Sequence, residues 1–300
     1  MNYLKNLFCF ILSGLLLQML TFLPLHADPA TASALPLVLV TVPPHQFFVQ
    51  QIAGDTVQIQ LLVPPGASSH TFEPSPKQMV MASHADLWFG IGEAFETKMI
   101  RALQSHKSPI KWVDLRQGVA LISDTAGNVH AHVCNHPNCA DLHIWLSPKQ
   151  AKIQAQTIAK ALSEQYPEHR EEYQKRLAVF LENLDRLDSE MTEAFKPLKT
   201  RVILVSHPSY TYLARDYQLQ QLSIEFEGKD PTPRQLTTVI EDAKRAGIKT
   251  VFIQPQYPSK GARLIAQSLG ADVVELNPYS EDYFVTMRAI VQAIVKAGSQ

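Results

Sequence analysis

Short apolar runs alternate with amphipathic stretches along most of the chain. Residues 37–42 form a continuous apolar run typical of a buried parallel strand, and residues 57–63 form a more alternating one. Similar runs predict further strands at residues 86–91, 111–115, 202–205, 219–224, 250–253 and 272–276. Helical stretches lie between most of these strands. Such alternation with short connections predicts an α/β fold in which parallel sheets are flanked by helices.

One amphipathic stretch is much longer than the others. Apolar residues recur at steps of three and four from Tyr173 to Phe195, which places them on one face of a helix. About 28 residues at 1.5 Å each would extend over roughly 42 Å, and a helix of that length usually spans more than one domain. The pattern predicts two α/β lobes, residues 28–165 and 198–300, joined by a single long helix over 166–197.

The N-terminus resembles an export signal. Lys5 precedes an apolar run over residues 7–25, and the small residue Ala27 offers a cleavage point, with Ala34 as a second candidate. We predict a cleavable signal peptide over 1–27 and a mature protein in the periplasm; an uncleaved membrane anchor is the alternative. No later segment has the roughly 18 to 20 apolar residues that a membrane-spanning helix needs.

The net charge and the fraction of charged residues limit the classes of partner that the chain is expected to bind. The 300-residue chain has a formal net charge of −1, and 18% of its residues are charged. Neither value indicates the basic surface with which proteins bind nucleic acids or anionic membranes. We therefore expect no nucleic-acid partner, and we expect a monomer.

A loop rich in histidine and cysteine interrupts the strand–helix pattern. Cys134 and Cys139 belong to an exported chain, so we predict that they form a small disulfide loop. Metal binding is the alternative, because His130, His132 and His136 surround them. A solvated loop of this kind needs no function.

Three other histidines lie where a predicted strand ends or a helix begins. His70 and His207 follow strands, and His143 precedes a helix whose start is marked by Ser147 as N-cap and Pro148 as first helical residue. Ligands of parallel sheets gather beyond the carboxyl ends of the strands. Imidazole is a good zinc ligand, and three imidazoles leave a fourth tetrahedral position for water or an oxygen donor. The residues predict a three-histidine metal site in the interlobe cleft.

The segments that contain these histidines resemble a known family. They read SHTFEPSP at 69–76, DLHIWLSP at 141–148 and VSHPSY at 205–210. They are similar to the signature segments of the cluster A-I metal-binding proteins, the periplasmic solute-binding components of ABC importers for zinc, manganese or iron. Secondary similarities lie at residues 88–96 and 227–233. The resemblance extends over essentially the whole mature chain. It implies two rigidly joined lobes, a metal cargo, and an inner-membrane permease with its ATPase as partner.

The resemblance also implies a ligand set. His70, His143 and His207 would be metal ligands, and family members that favour manganese commonly have glutamate in place of His207. The histidine therefore favours Zn²⁺ over Mn²⁺ or Fe²⁺. The family's fourth ligand is often an aspartate after the last strand, where this chain has an asparagine, which is a poorer ligand. The candidates for the fourth position are water, Asn277, Glu73, Glu225 and Asp282.

The leading hypothesis is a non-enzymatic protein that captures zinc and delivers it to a permease. One alternative is a zinc hydrolase that activates water at the fourth position, with Glu73 as its general base; the chain has no His-Glu-x-x-His motif. Another is an exported adhesin with a structural metal.

Zinc-type members of the family also tend to have a charged, histidine-rich loop before the second ligand. Residues 128–139 occupy that place without its dense charge, which implies a weak accessory site at most.

Overall fold

The chain folds into two parallel sheets with the same strand order. The computed structural model describes residues 35–106, 108–122, 140–225 and 232–299. In chain order the strands are β1 (Leu37–Val40), β2 (Gln58–Leu61), β3 (Leu87–Gly90), β4 (Lys111–Asp114), β5 (Val202–Val205), β6 (Gln220–Ser223), β7 (Thr250–Ile253) and β8 (Asp272–Glu275). One four-stranded sheet has the order β2-β1-β3-β4, and the other has the order β6-β5-β7-β8.

Helices flank both sheets. They are α1 (Pro43–Ala53), α2 (Pro76–Ser83), α3 (Ala94–Ser105), α4 (Pro148–Gln165), α5 (Arg170–Phe195), α6 (Thr211–Asp216), α7 (Pro233–Arg245), α8 (Lys260–Leu269) and α9 (Tyr283–Gly298). Every residue of the central strands β3 and β7 is buried, as expected for strands covered on both faces. The predicted α/β fold, with two lobes and a long helix between them, is confirmed.

Helix starts follow the sequence signals in part. Ser75 caps α2, since its side chain accepts a hydrogen bond from the Gln78 amide. The prediction that Ser147 caps α4 is wrong as far as its side chain is concerned, because that side chain makes no capping hydrogen bond. Its backbone is extended, as at an N-cap, but its hydroxyl donates to a carboxylate oxygen of Asp216 at 2.5 Å. A buried hydroxyl beside a carboxylate forms this charge-assisted bond in preference to a cap.

Helix α5 carries a core that both lobes share. Its buried face consists of Tyr173, Leu177, Phe180, Leu184, Leu187, Met191 and Phe195. Phe180 packs against Phe48 of α1, with ring centroids 5.3 Å apart, and against Phe284 of α9 at 6.0 Å. Helix α1 belongs to the first lobe and α9 to the second, so one apolar cluster holds both lobes on the same helix.

Hydrogen bonds add a second connection between the lobes. The Trp145 indole donates to the carbonyl of Pro278 at 3.0 Å, and the Tyr283 hydroxyl donates to the carbonyl of Trp145 at 2.8 Å. The Tyr212 hydroxyl donates to the Asp141 carbonyl at 2.8 Å. Each of these bonds ends within two residues of His143, so the second lobe fixes the segment around that histidine.

Several predictions concern residues outside the described ranges. They include the signal peptide over 1–27 with its cleavage points, and the Cys134–Cys139 loop with its histidines. Within the described residues, no helix combines the length and apolar character needed to cross a bilayer. The domain boundaries at 28–165, 166–197 and 198–300 stay a prediction. Helix α5 itself occupies Arg170–Phe195, after a 3₁₀ turn at Pro167–His169.

The shared core predicts a large effect of Phe180. We expect Phe180→Ala to lower the free energy of unfolding by about 3–5 kcal/mol, because it removes a buried ring from the meeting point of α1, α5 and α9. The neighbouring Val179 is 60% exposed, and Val179→Ala is expected to change stability by less than about 0.5 kcal/mol. Urea unfolding of both variants measures the difference. Equal effects would contradict a core that depends on this face of α5.

Candidate metal centre

Three connections bring the histidines together. His70 lies in a 3₁₀ turn at Ser69–Thr71, after β2. His143 directly precedes the 3₁₀ turn Ile144–Leu146. His207 lies in the loop between β5 and α6, which begins at Thr211.

The backbone around His207 is firmly held. The amide of Ser206 donates to the Phe252 carbonyl at 2.8 Å, and the amide of Glu225 donates to the Ser206 carbonyl at 2.9 Å. Ser206, the residue before His207, is therefore hydrogen-bonded to the neighbouring segments on both sides, beyond the ends of β5, β6 and β7. This is the point where the strand order reverses in the second sheet, the usual ligand position in such folds.

The three imidazoles form a nearly equilateral triangle. The ring centroids of His70, His143 and His207 are 5.3 Å apart in each pair. One ring nitrogen from each lies within 4.8 Å of the other two. Nitrogen ligands of a tetrahedral zinc site are about 3.3 Å apart, given zinc–nitrogen distances of about 2.0–2.1 Å. The structure thus assembles all three predicted histidines to within a small adjustment of that geometry.

A carboxylate bonds the outer nitrogen of each ring. Nδ1 of His143 lies 2.8 Å from Oδ1 of Asp141, and Nδ1 of His207 lies 2.8 Å from Oε2 of Glu225. Nδ1 of His70 lies 3.1 Å from Glu93. Each neutral ring therefore carries its proton on Nδ1 and presents the lone pair of Nε2. Such carboxylate–histidine pairs are the usual support of metal-binding imidazoles.

Burial and charge shift the pKa values of two groups at the site, His207 and Glu93. Burial, followed by the charges of His143 and His70, holds the pKa of His207 well below its ordinary value, so the ring is neutral near pH 7. Burial alone would raise the pKa of Glu93. Bonds and charge from His70, with the Ser69 hydroxyl, outweigh it and hold that pKa below its ordinary value. The negative charge of Glu93 therefore lies beside Nδ1 of His70, on the side of the ring opposite Nε2.

A buried glutamate shapes the loop that carries Glu93. Glu96 accepts hydrogen bonds from the Thr41 hydroxyl at 2.6 Å and from the amides of Ile91 and Gly92 at 3.1 and 2.8 Å. Burial raises the pKa of Glu96 to about 7. Gly92 has a φ of +88°, which favours glycine. These bonds fix the turn that places Glu93 against His70.

The residues fit a metal that prefers nitrogen ligands. Nε2 of His207 is buried and has no hydrogen-bond partner among the described residues. Such an atom normally carries an energetic cost unless a partner satisfies it. A triangle of three neutral imidazoles is a donor set suited to zinc and other late first-row divalent ions. His70 is the exposed member of the set, so it marks the side on which an ion would enter.

The predicted candidates for a fourth ligand have other partners. Glu73 pairs with Lys98 at the surface, and Asp282 caps α9. Glu225 bonds Nδ1 of His207. Oδ1 of Asn277 accepts hydrogen bonds from the side chain of Gln256 at 2.7 Å and from the amide of Tyr279 at 3.1 Å. A ligand role for Asn277 stays a prediction.

Sequence reasoning missed two tyrosines at the site. The ring of Tyr257 stacks on His207, with centroids 3.8 Å apart and planes 15° apart. The hydroxyl of Tyr279 lies 3.2 Å from Nε2 of His143. Both tyrosines follow strands of the second sheet at the carboxyl end, and that position was the available signal. The roles of Asp141 and Glu93 behind the histidines were also missed, although both lie in segments that the resemblance marked.

A further pair of buried polar residues supports the turn after His143. Nε2 of His45 donates to the Gln154 side-chain oxygen at 2.7 Å, and the Gln154 amide donates to the carbonyl of Ile144 at 3.0 Å. The His45 ring also packs edge-on against Trp145, with centroids 5.8 Å apart. Residues of α1 and α4 therefore hold the position of the second histidine segment.

Comparison with known proteins gives a consistent result. A family model described as zinc-uptake complex component A, periplasmic (ZnuA), matches residues 38–297. A protein of Chlamydia trachomatis named for metal binding is 32% identical over 257 residues, which are 85% of this chain and 89% of that protein. The zinc-binding protein AdcA of Streptococcus pyogenes is 26% identical over 282 residues, which are 86% of this chain and 55% of AdcA.

Solved structures show the same fold. A crystal structure of ZnuA has a TM-score of 0.81 and 36% identity, covering 88% of this chain and 99% of that one. A zinc-bound ZnuA deletion mutant has a TM-score of 0.80 and 37% identity, covering 89% and 99%. The laminin-binding protein Lmb of Streptococcus agalactiae, described as bifunctional in adhesion and metal transport, has a TM-score of 0.77 and 26% identity, covering 88% and 99%.

The buried His45 predicts acid sensitivity of the fold. Burial lowers its pKa to about 4 from an ordinary value of 6.5. Between these values the unfolded chain binds a proton that the folded protein does not, so stability falls as the pH drops below 6.5. The contribution at pH 5 is about 2 kcal/mol. Between pH 7 and pH 5, the free energy of unfolding of His45→Gln should therefore fall by about 2 kcal/mol less than that of the unaltered protein. Urea unfolding with a chelator present measures both. Parallel profiles would contradict this.

Proposed function

The chain belongs to the ZnuA family of periplasmic zinc-uptake components, as the resemblance of its histidine segments predicted, and we propose that it captures one zinc ion with His70, His143 and His207. The observation that supports this most strongly is the triangle of imidazoles, each backed by a carboxylate. Three neutral nitrogen ligands with negative charge behind them suit a divalent ion of the zinc type.

The donor set favours zinc over manganese or iron. Manganese prefers sites rich in oxygen ligands, whereas imidazole favours zinc and other late metals. At the position where manganese-selective members commonly carry glutamate, this chain has His207, and its carboxylate Glu225 lies behind the ring instead of facing the ion. In competition titration, zinc should bind at least as tightly as manganese or iron.

The function is transport without catalysis. The protein would act in the periplasm and deliver its ion to the permease of an ABC importer. Glu73, the general base of a hydrolase hypothesis, is exposed and paired with Lys98 at 3.0 Å. The shared core on α5 favours small movements of the lobes over a wide hinge, so capture and release would depend on loops at the cleft.

Loss of any one of the three histidines should abolish tight binding. We expect His70→Ala, His143→Ala and His207→Ala each to weaken zinc affinity by at least about 100-fold, since loss of an outer-sphere partner alone costs about 10–100-fold. Competition with a chromophoric chelator measures the affinity. His84 is exposed and lies outside the cluster, so His84→Ala should bind like the unaltered protein. Tight zinc binding by any of the three variants would refute the proposed ligand set.

The carboxylate behind His207 should also matter. Glu225→Gln keeps an acceptor for the Nδ1 proton but removes the negative charge, and we expect zinc affinity to fall by about 10–100-fold. Glu73→Gln removes an exposed carboxylate from the first lobe and should leave affinity unchanged. Both variants can be measured in the same chelator assay. Equal affinities for the two would show that the charge behind the ring contributes nothing.

A further inference from the structure

A tyrosine of the second lobe, Tyr279, lies against His143, one of the two proposed ligands in the first lobe. Tyr279 follows β8 and is buried. Its hydroxyl lies 3.2 Å from Nε2 of His143 and 3.3 Å from the hydroxyl of Ser69, the residue before His70. One phenol oxygen therefore contacts segments that carry two of the proposed ligands.

The direction of the tyrosine–histidine bond follows from the other side of the ring. The carboxylate of Asp141 can only accept, so Nδ1 of His143 donates to it at 2.8 Å. In the neutral imidazole, Nε2 then has a lone pair and no proton. Any hydrogen bond between the two groups therefore has the Tyr279 hydroxyl as its donor, with the proton directed at the lone pair that would bind zinc.

A single lone pair cannot accept this proton and bind a metal at the same time. We propose, on the basis of the function proposed above, that Tyr279 competes with zinc for Nε2 of His143 and so lowers the affinity of the site. In the metal-free protein the hydroxyl satisfies a buried nitrogen that would otherwise lack a partner. Nε2 of His207 has no such partner among the described residues, so the competition does not act on that ligand.

The hydroxyl has an alternative acceptor when zinc binds. Ser69 donates its own proton to Glu93 at 2.6 Å, which leaves its oxygen able to accept one from Tyr279. The phenol proton can rotate from His143 towards Ser69 without movement of the ring. When zinc displaces the hydroxyl from His143, one hydrogen bond is thus exchanged for a longer one. The energetic cost is limited to this exchange, which permits both capture and release.

Asn277 has a positioning role in this arrangement. Its side-chain oxygen accepts the amide proton of Tyr279 at 3.1 Å and is held by the Gln256 amide at 2.7 Å. The side chain at the family's usual fourth-ligand position therefore fixes the backbone of the competing tyrosine.

Zinc affinity and the stability of the two forms test the proposal together. Tyr279→Phe should raise zinc affinity by about threefold, because it removes the bond to His143 from the metal-free form and only the longer bond to Ser69 from the loaded form. Both forms should unfold at a lower urea concentration, and the metal-free form should be destabilised more than the zinc-loaded form. Tyr173→Phe is the control. It removes a buried hydroxyl bonded to Thr56 at 2.8 Å, so both forms should be destabilised equally with no change in affinity.

Two outcomes would overturn the proposal. Unchanged affinity in Tyr279→Phe would show that no competition exists, and reduced affinity would show that the hydroxyl supports the bound state. Asn277→Ala should bind zinc as tightly as the unaltered protein or more tightly; a loss of about tenfold or more would identify Asn277 as a ligand. The variant His143→Ala distinguishes the proposed competition from the proposed zinc-binding function. If that variant loses zinc while Tyr279→Phe behaves normally, the competition alone is refuted.

Discussion

The whole arrangement depends on one apolar core that runs along α5 and belongs to both lobes. Phe180 meets aromatic rings of α1 and α9 there, so the two sheets are attached to the same rigid helix. The histidines lie on loops of different lobes, and three loops can keep a triangle of 5.3 Å only if their supports are fixed. The packing of α5 is thus the physical basis of the site, although α5 supplies none of the three histidines.

Charge is arranged in layers around the triangle. The imidazoles face one another, and Asp141, Glu93 and Glu225 lie behind them. The three imidazoles can approach closely when each carries its proton on Nδ1, because Nε2 then carries none. The negative charges of the carboxylates favour a divalent cation at the centre of the triangle. The carboxylates themselves would not contact the ion. The hydroxyl of Tyr279 contacts Nε2 of His143, whereas Nε2 of His207 has no hydrogen-bond partner among the described residues.

Local signals made most of the fold predictable. The central strands are mostly apolar, the edge strands mix apolar and polar residues, and prolines and glycines mark the ends of elements, so β1 to β8 and the long helix could be placed from the sequence. His70, His143 and His207 were recognisable because each follows or precedes such an element. Their partners were not, because Glu93 is 23 residues from His70 and Tyr279 is 136 residues from His143. Ser147 shows the same limit, since a residue of the other lobe decides its hydrogen bond.

Three imidazoles from two lobes are proposed to bind the ion. X-ray absorption at the zinc edge of the loaded protein measures its ligands directly. We expect three imidazole nitrogens and one further light atom at about 2.0–2.1 Å, with no sulfur ligand. A sulfur shell at about 2.3 Å, which would indicate Cys134 and Cys139, or fewer than three imidazoles, would contradict it.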